Sequence, residues 1–391
     1  MRSNTIPLST LCKSGGSYGI AASAVEYTAN LPTYLRITDI NDDGTLNNSG
    51  LKSVDDPNSG KYYLLPNDIV FARTGASTGR NYFFDGTDGD FVYAGFLIKF
   101  SIDPKKVNPQ FIKYYCQSKD YCDWVASFNT GSTRGNINAV TLGNMPIPDV
   151  PRRQQDLIAD TLSALDARIA ENKKINHNLE QQAQAIFKSW FVDFEPFGGV
   201  MPDDWREGTL SDICCYNSDR ISVSSLSVST YLSTENMSPN KGGFVNAASL
   251  PTIAQTTKFD VGDTLVSNIR PYFKKIVYCN FAGGCSTDVL CFRPHEPSFS
   301  LFLFNLLYND RFFDYMVAGS KGTKMPRGDK QQIMKYPTPI PDKSTLGKFT
   351  SLVSPIMEKT NLLNVENDNL AAMRDALLPK LMSGELSVND I

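Results

Sequence analysis

Hydrophobic and polar positions alternate along this chain in two rhythms, and the switch from one to the other occurs twice. From residue 1 to about 150, runs such as 33-TYLRITDI-40, 61-KYYLLPNDIVFAR-73 and 91-FVYAGFLIKF-100 are rich in Tyr, Phe, Val and Ile. Those residues suit a pleated, half-buried surface and predict strands. Gly, Asn and Asp stand between the runs, as in 41-NDDGTLNNSG-50 and 85-DGTDGD-90, and predict turns. The stretch 108-NPQFIKYYCQSKDYCDWVASF-128 reads as a helix opened by an Asn-Pro cap.

After 146-PIPDVPRRQQ-155 the period lengthens. Ile158, Leu162, Leu165, Ile169, Asn172, Asn176, Leu179, Ala183, Ile186 and Trp190 recur at alternating spacings of four and three, a heptad seam on one long helix. Strand-like runs then return near 201-MPDDWREGTLSDI-213 and include 264-TLVSNI-269, 273-FKKIVYC-279 and 287-TDVLCFRP-294. A helix-like stretch, 298-SFSLFLFNLLYNDRFFDYMVA-318, follows them. Beyond 337-PTPIP-341 a second long helix carries a seam of Val353, Ile356, Thr360, Leu363, Asn367, Leu370, Arg374 and Leu377.

The landmarks keep the same order in both halves. The segment 66-PNDIV-70 is answered by 261-VGDTL-265, and 130-TGSTRGNINAVTLGNMPIPDV-150 by 318-AGSKGTKMPRGDKQQIMKYPTPIPDK-343. Asn176 falls on Asn367, and Leu179 on Leu370. The chain is therefore expected to be an internal duplication of α+β class. Two pseudo-symmetric mixed α/β domains, 1–150 and 198–343, would be separated by an antiparallel two-helix coiled coil. Its helices come from 151–197 (with a linker) and from 344–391 (with a tail). Each helix of about 35 residues would span roughly 50 Å at ~1.5 Å per residue, so its seam needs a partner. Asn172, Asn176, Thr360 and Asn367 put polar groups in that seam. They either fix its register or mark a more exposed middle.

Composition narrows the function. The net charge of −3 over 391 residues gives no global basic signal for nucleic acid, although a local basic patch remains compatible with it. Eight cysteines without a CxxC pair, and only two histidines, argue against a zinc site. The chain starts with no signal-like apolar run. The longest apolar stretch, Leu301 to Leu307, is broken by Asn305 and is too short to span a bilayer. A cytoplasmic protein with reduced thiols and no membrane partner is expected.

Basic, hydroxyl-rich turns recur at matching places. In 71-FARTGASTGR-80, Arg73, Thr74, Ser77, Thr78 and Arg80 are candidates to grip phosphate, with an arginine free to read a guanine edge. In 267-SNIRPYFKK-275, Asn268 is a candidate for adenine, and Arg270, Tyr272, Lys274 and Lys275 for phosphates or base edges. Two later loops repeat the theme: 129-NTGSTRGNINA-139 with Thr133 and Arg134, and 319-GSKGTKMPRGDK-330 with Lys321, Lys324 and Arg327. Arg36 and Thr38 join them from a strand-like run, unless they only dress its solvated face. The plain alternative throughout is a surface hairpin with solvated basic tips. No catalytic constellation accompanies these turns. His177 and His295 lack a nucleophile nearby in sequence, and Asp55-Asp56 and Asp203-Asp204 fall in turns. No Walker A order is present. A binding protein without metal or catalysis is expected.

Five segments carry a family resemblance: 66-PNDIVFARTGA-76, 261-VGDTLVSNIRPYFKK-275, 146-PIPDVPRRQQDLIADTLSALDARI-169, 190-WFVDFEPF-197 and 377-LLPKLMSGEL-386. Together and in this order they resemble the specificity subunit of type I restriction-modification enzymes. The resemblance implies two target recognition domains, each reading half of a split, asymmetric site on double-stranded DNA. It also implies that the helices set the unread spacer and dock two copies of a modification methyltransferase subunit. S-adenosylmethionine, ATP and Mg would be bound by the modification and the restriction/translocase subunits, with no cofactor in this chain. A stand-alone DNA-binding protein, a protein-interaction scaffold and an enzyme with a site between the domains are the alternatives.

Overall fold

The computed structural model describes residues 4–47, 50–128 and 136–386. It forms two units, Met1–Glu171 with Glu366–Ile391, and Asn172–Val365. Each long helix is thus divided between the two units.

The first unit contains strands β1 (Thr5–Pro7), β2 (Ser17–Tyr18), β3 (Ala24–Glu26), β4 (Thr33–Leu35) and β5 (Lys52–Val54). They are followed by β6 (Asp68–Ala72), β7 (Asn81–Phe84), β8 (Phe91–Tyr93), β9 (Leu97–Ser101) and, later, β10 (Pro146–Pro148). Helices α1 (Pro109–Tyr115), α2 (Lys119–Ala126) and α3 (Ala139–Gly143) precede the long α4 (Arg152–Phe191). The second unit runs through β11 (Arg206–Thr209), α5 (Leu210–Ile213), β12 (Cys214–Tyr216), β13 (Arg220–Ser222) and β14 (Tyr231–Leu232). Next come β15 (Gln255–Phe259), β16 (Thr264–Ser267), β17 (Ile276–Tyr278), β18 (Gly283–Cys285) and β19 (Val289–Pro294). It closes with α6 (Ser300–Tyr308), α7 (Asp310–Ala318), α8 (Lys330–Ile333), β20 (Pro337–Ile340) and the long α9 (Lys343–Ser383).

The strand order makes the duplication explicit. One sheet runs β2-β9-β6-β7 in the first unit and β12-β19-β16-β17 in the second. The pairs β1-β10 and β11-β20 tie the two ends of each domain together just before a long helix. The remaining sheets, β3-β5-β4-β8 and β13-β15-β18-β14, differ by one exchange. In the first, β4 lies inside and β8 at the edge; in the second, the later strand β18 lies inside. The two domains are therefore alike in plan and different in detail.

Burial on both faces explains the apolar central strand. Ile69 and Phe71 of β6 join the core under the helices, while Val70 and Ala72 face the second sheet. Val266 and Leu265 of β16 divide in the same way. A buried aspartate anchors each strand start. Asp68 accepts from the Leu65 N–H and the Ser101 hydroxyl and pairs with Lys99. Asp263 accepts from the Asp260 N–H and is gripped by Arg293.

Several local expectations change. The run 33–40 is a strand only to Leu35, because the Asp39 carboxylate reaches back to the Arg36 N–H and folds Ile37–Asp39 into a 3-10 turn. The run 91–100 is two strands, and 108–128 is two helices, because Ser118 caps α2. Asn309 likewise starts α7 inside 298–318.

In the first unit the long helices are antiparallel, with Asp166 against Arg374 at 2.9 Å and Arg168 against Glu366 at 2.7 Å. In the second they are antiparallel too: Asn176 donates to Asn364 at 2.7 Å, and Phe187 packs near Phe349. Of the seam, Ile158, Leu162, Asn172, Asn176, Ala183, Val353 and Leu363 are buried, and the other positions are half-buried. Burial of Asn172 and Asn176 excludes a merely exposed middle there. Phe187 and Phe191 lie deeper than Ile186 and Trp190, because the second domain's core docks on them through Phe302 and Phe349.

Candidate nucleic-acid interface

The end of the central strand positions the candidate residues, and it does so identically in both units. In the first, Arg73 donates its N–H to the Phe96 carbonyl (3.0 Å) and accepts from the Ile137 N–H (2.9 Å). Ala72 donates to the Arg80 carbonyl, and Thr74 bridges to Asn136. In the second, Asn268 donates to the Asp288 carbonyl (2.8 Å) and accepts from the Gly328 N–H (3.3 Å). Ser267 donates to the Lys275 carbonyl, and Ile269 bridges to Arg327. The turn after the strand and the loop before α3 or α8 are thus stitched together. These are the two segments that each half of the sequence had supplied separately. Thr133 and Arg134 lie outside the described residues.

The equivalent turns differ in chemistry. Gly75 (φ +77°) and Gly79 (φ +90°) take left-handed conformations in the first unit, where a side chain at Gly79 would strike Val125 at 2.4 Å. In the second unit Arg270 (φ +49°) and Lys274 (φ +50°) adopt that conformation despite their side chains. Such backbone costs on the order of 1–2 kcal/mol per residue and survives only where neighbours enforce it. Here they do. Arg270 donates to the Pro326 carbonyl, and the Phe273 and Lys274 carbonyls accept from Asn240 and Lys241.

Many of the candidate cations are already engaged. Arg36 clamps Asp39 through two guanidinium nitrogens and also donates to the Gly50 carbonyl. That carboxylate raises the Arg36 pKa. Arg36 braces a turn, which corrects its placement on a solvated strand face; Thr38 beside it is exposed. Arg80 is held by Asp42 at 2.6 Å and by the Ile40 carbonyl. Lys274 shares Asp310 with Lys241, which lowers the Asp310 pKa. Lys275 donates to the Thr234 carbonyl, and burial lowers its pKa. Arg327 sits on Asp288 and Lys321 on Asp329. Asn268, expected to meet adenine, is only 6% exposed, and its Oδ1 has no partner among the described residues.

Four candidate cations carry no acidic partner among the described residues: Arg73, Arg270, Lys324 and Lys275, the last held by a carbonyl instead. Lys324 is exposed, as is Tyr272. Thr74, Ser77 and Thr78 are half-buried around the first turn, where Thr78 donates to the Gly75 carbonyl. Sequence reading missed the residues that control these cations. Tyr18 and Phe96 flank Arg73, and Asp42, Asp288, Lys241 and Asp310 hold the others. All lie far away in sequence, and only the β6-β9 and β16-β19 pairings bring some of them near. Among the described residues there is no group of histidine, cysteine and acidic side chains able to hold a metal ion. None of the helices there is long and apolar enough to cross a membrane.

The duplicated fold presents two alike but chemically distinct basic turns. Residues 27–181 match the family described as the type I restriction modification DNA specificity domain. The chain is 27% identical over 320 residues to the type I restriction enzyme MjaIX specificity subunit of Methanocaldococcus jannaschii, covering 74% of this chain and 72% of that one. It is 30% identical over 172 residues to the HindI specificity subunit of Haemophilus influenzae, covering 42% of this chain and 37% of that one. Its fold matches the S subunit of a type I system from M. genitalium with a TM-score of 0.55 at 17% identity, covering 97% and 96% of the two chains. Over most of its length the chain is thus similar to specificity subunits of type I restriction-modification enzymes.

Proposed function

We propose that each domain reads one half of a bipartite, asymmetric site on double-stranded DNA. The observation that carries this reading is the shared hydrogen-bonded frame at the two strand ends. Arg73 and Asn268 hold the same backbone position there, surrounded by different side chains. Sameness of frame supports a common approach to DNA, and difference of chemistry supports two unlike half-sites. The long helices set the unread spacer and dock two copies of the modification methyltransferase subunit. Those copies bind S-adenosylmethionine and methylate adenine, while restriction/translocase subunits bring ATP and Mg. The complex works in the cytoplasm.

Co-expression with the modification subunit, followed by sequencing for methylated adenines, tests this. A motif of two different halves around a fixed gap is expected. A contiguous motif, or none, overturns the proposal.

A further inference from the structure

Arg73 is set apart from the other candidate cations by what surrounds it. Its guanidinium carbon lies 5.2 Å from the Tyr18 ring centre and 5.9 Å from that of Phe96, both within cation–π range. These rings are themselves 43% and 55% exposed. Tyr18 is fixed in turn, because its hydroxyl accepts the Ala139 N–H at the start of α3. The Arg73 Nε is buried and has no hydrogen-bond partner among the described residues. No carboxylate there pairs with the side chain, so no ion pair must break before it meets a ligand.

With Nε enclosed, only the two terminal nitrogens can face outward, as a planar end-on fork. That geometry matches the O6 and N7 acceptors of guanine in the major groove. A contact to phosphate alone has no need of an aromatic sleeve to fix the plane. The second unit lacks this arrangement. The place of Arg73 is taken there by the buried Asn268, and that of Phe96 by Asp288, whose carboxylate holds Arg327.

We infer that Arg73 is a guanine-reading residue of the first domain and that Tyr18 and Phe96 are the positioning residues that aim it. This rests on the reading of the chain as a DNA-specificity subunit. The test uses the complete complex with its modification subunits and a plasmid library randomised across the recognised site, scored by adenine methylation. Arg73→Ala is expected to lose preference for guanine at one position of one half-site by roughly 5- to 150-fold, with the other half-site unchanged. Arg73→Lys keeps the charge but not the fork, and is expected to lose the same preference. Tyr18→Ala with Phe96→Ala weakens it with Arg73 intact.

Uniform loss over all sequences, or an Arg73→Lys complex with wild-type specificity, overturns the assignment. Thermal melting of each purified complex separates a specificity change from unfolding. A wild-type complex that selects a motif while Arg73→Ala leaves it unchanged overturns the Arg73 assignment alone. A wild-type complex that selects no sequence overturns the specificity-subunit reading, and the Arg73 assignment with it.

Discussion

Arg73 and Asn268 occupy one and the same node of two separate frames. Each donates its backbone N–H to the residue that precedes the neighbouring strand, and each accepts from the residue that precedes a helix cap. The backbone has been kept while the side chain has been exchanged. One consequence is that the turn following the node is free to change conformational class. It is glycine-based after Arg73 and built on left-handed Arg270 and Lys274 after Asn268.

Arg270 is held in a strained, left-handed backbone conformation. Its left-handed backbone costs about 1–2 kcal/mol; a glycine there removes that strain, but its freer unfolded chain offsets roughly 0.5–1 kcal/mol of the gain. Arg270→Gly is expected to stabilise the protein by about 0.5–1 kcal/mol in denaturant melts. It is also expected to weaken binding to a cognate duplex and to reduce the salt slope by about one. An Arg270→Gly protein that binds with unchanged affinity and slope removes Arg270 from the interface.

How far this was legible in the sequence depends on the range of the interactions. The duplicated order, the long helices and the basic turns follow from local periodicity and composition, and all of them are present. The clamps are not legible. Arg80 and Asp42 are 38 positions apart, Arg327 and Asp288 are 39 apart, and their pairing depends on strand register. Arg36 and Asp39 are close in sequence, but the run around them carries a strand-like pattern, and one carboxylate overrides it. The depth of Phe187 and Phe191 was hidden for a different reason. A seam counted by heptads describes a helix against a helix, whereas these rings pack against α6 as well as α9.

The helix pair in the first unit is held by packing rather than by its ion pairs. Leu162 is fully buried in the core that also includes Leu378 and Leu381. Arg168 and Glu366, by contrast, meet at a solvated edge. Leu162→Ala is expected to cost about 2–5 kcal/mol. Arg168→Ala should leave the unfolding midpoint nearly in place, and more so at high salt. Equal losses for the two variants would contradict this division.

A pH dependence follows from Glu180 on α4. Burial raises its pKa above the ordinary 4.5, opposed by the hydrogen bond from the Tyr308 hydroxyl and by the charges of His177 and Lys241. For a carboxyl whose folded pKa is raised, the folded state binds the proton more tightly than the unfolded one. Its contribution is therefore most favourable below about 4.5 and is lost as pH rises through the higher folded value. Glu180→Gln is expected to flatten the fall in stability across that weakly acidic window and to leave the protein more stable at neutral pH. Denaturant midpoints measured from pH 4 to 7 check this, and a parallel wild-type profile would refute it.

The spacer offers the sharpest test of the helices. Inserting one heptad after Glu171 in α4 and one after Val365 in α9 leaves the contacts within each unit intact, since Arg168 keeps Glu366 and Asn176 keeps Asn364. Seven residues add about 10 Å of helix at ~1.5 Å each, on the order of three base pairs at ~3.4 Å. Whole heptads preserve the seam on both helices, so the register can re-form. If the helices set the gap, the methylated motif keeps both half-site sequences while the preferred number of unread bases increases. An unchanged gap with full methylation would assign the spacing to the modification subunits instead. Loss of one half-site's sequence alone would show that the insertion had damaged a reading domain, which melting of the purified complex would register independently.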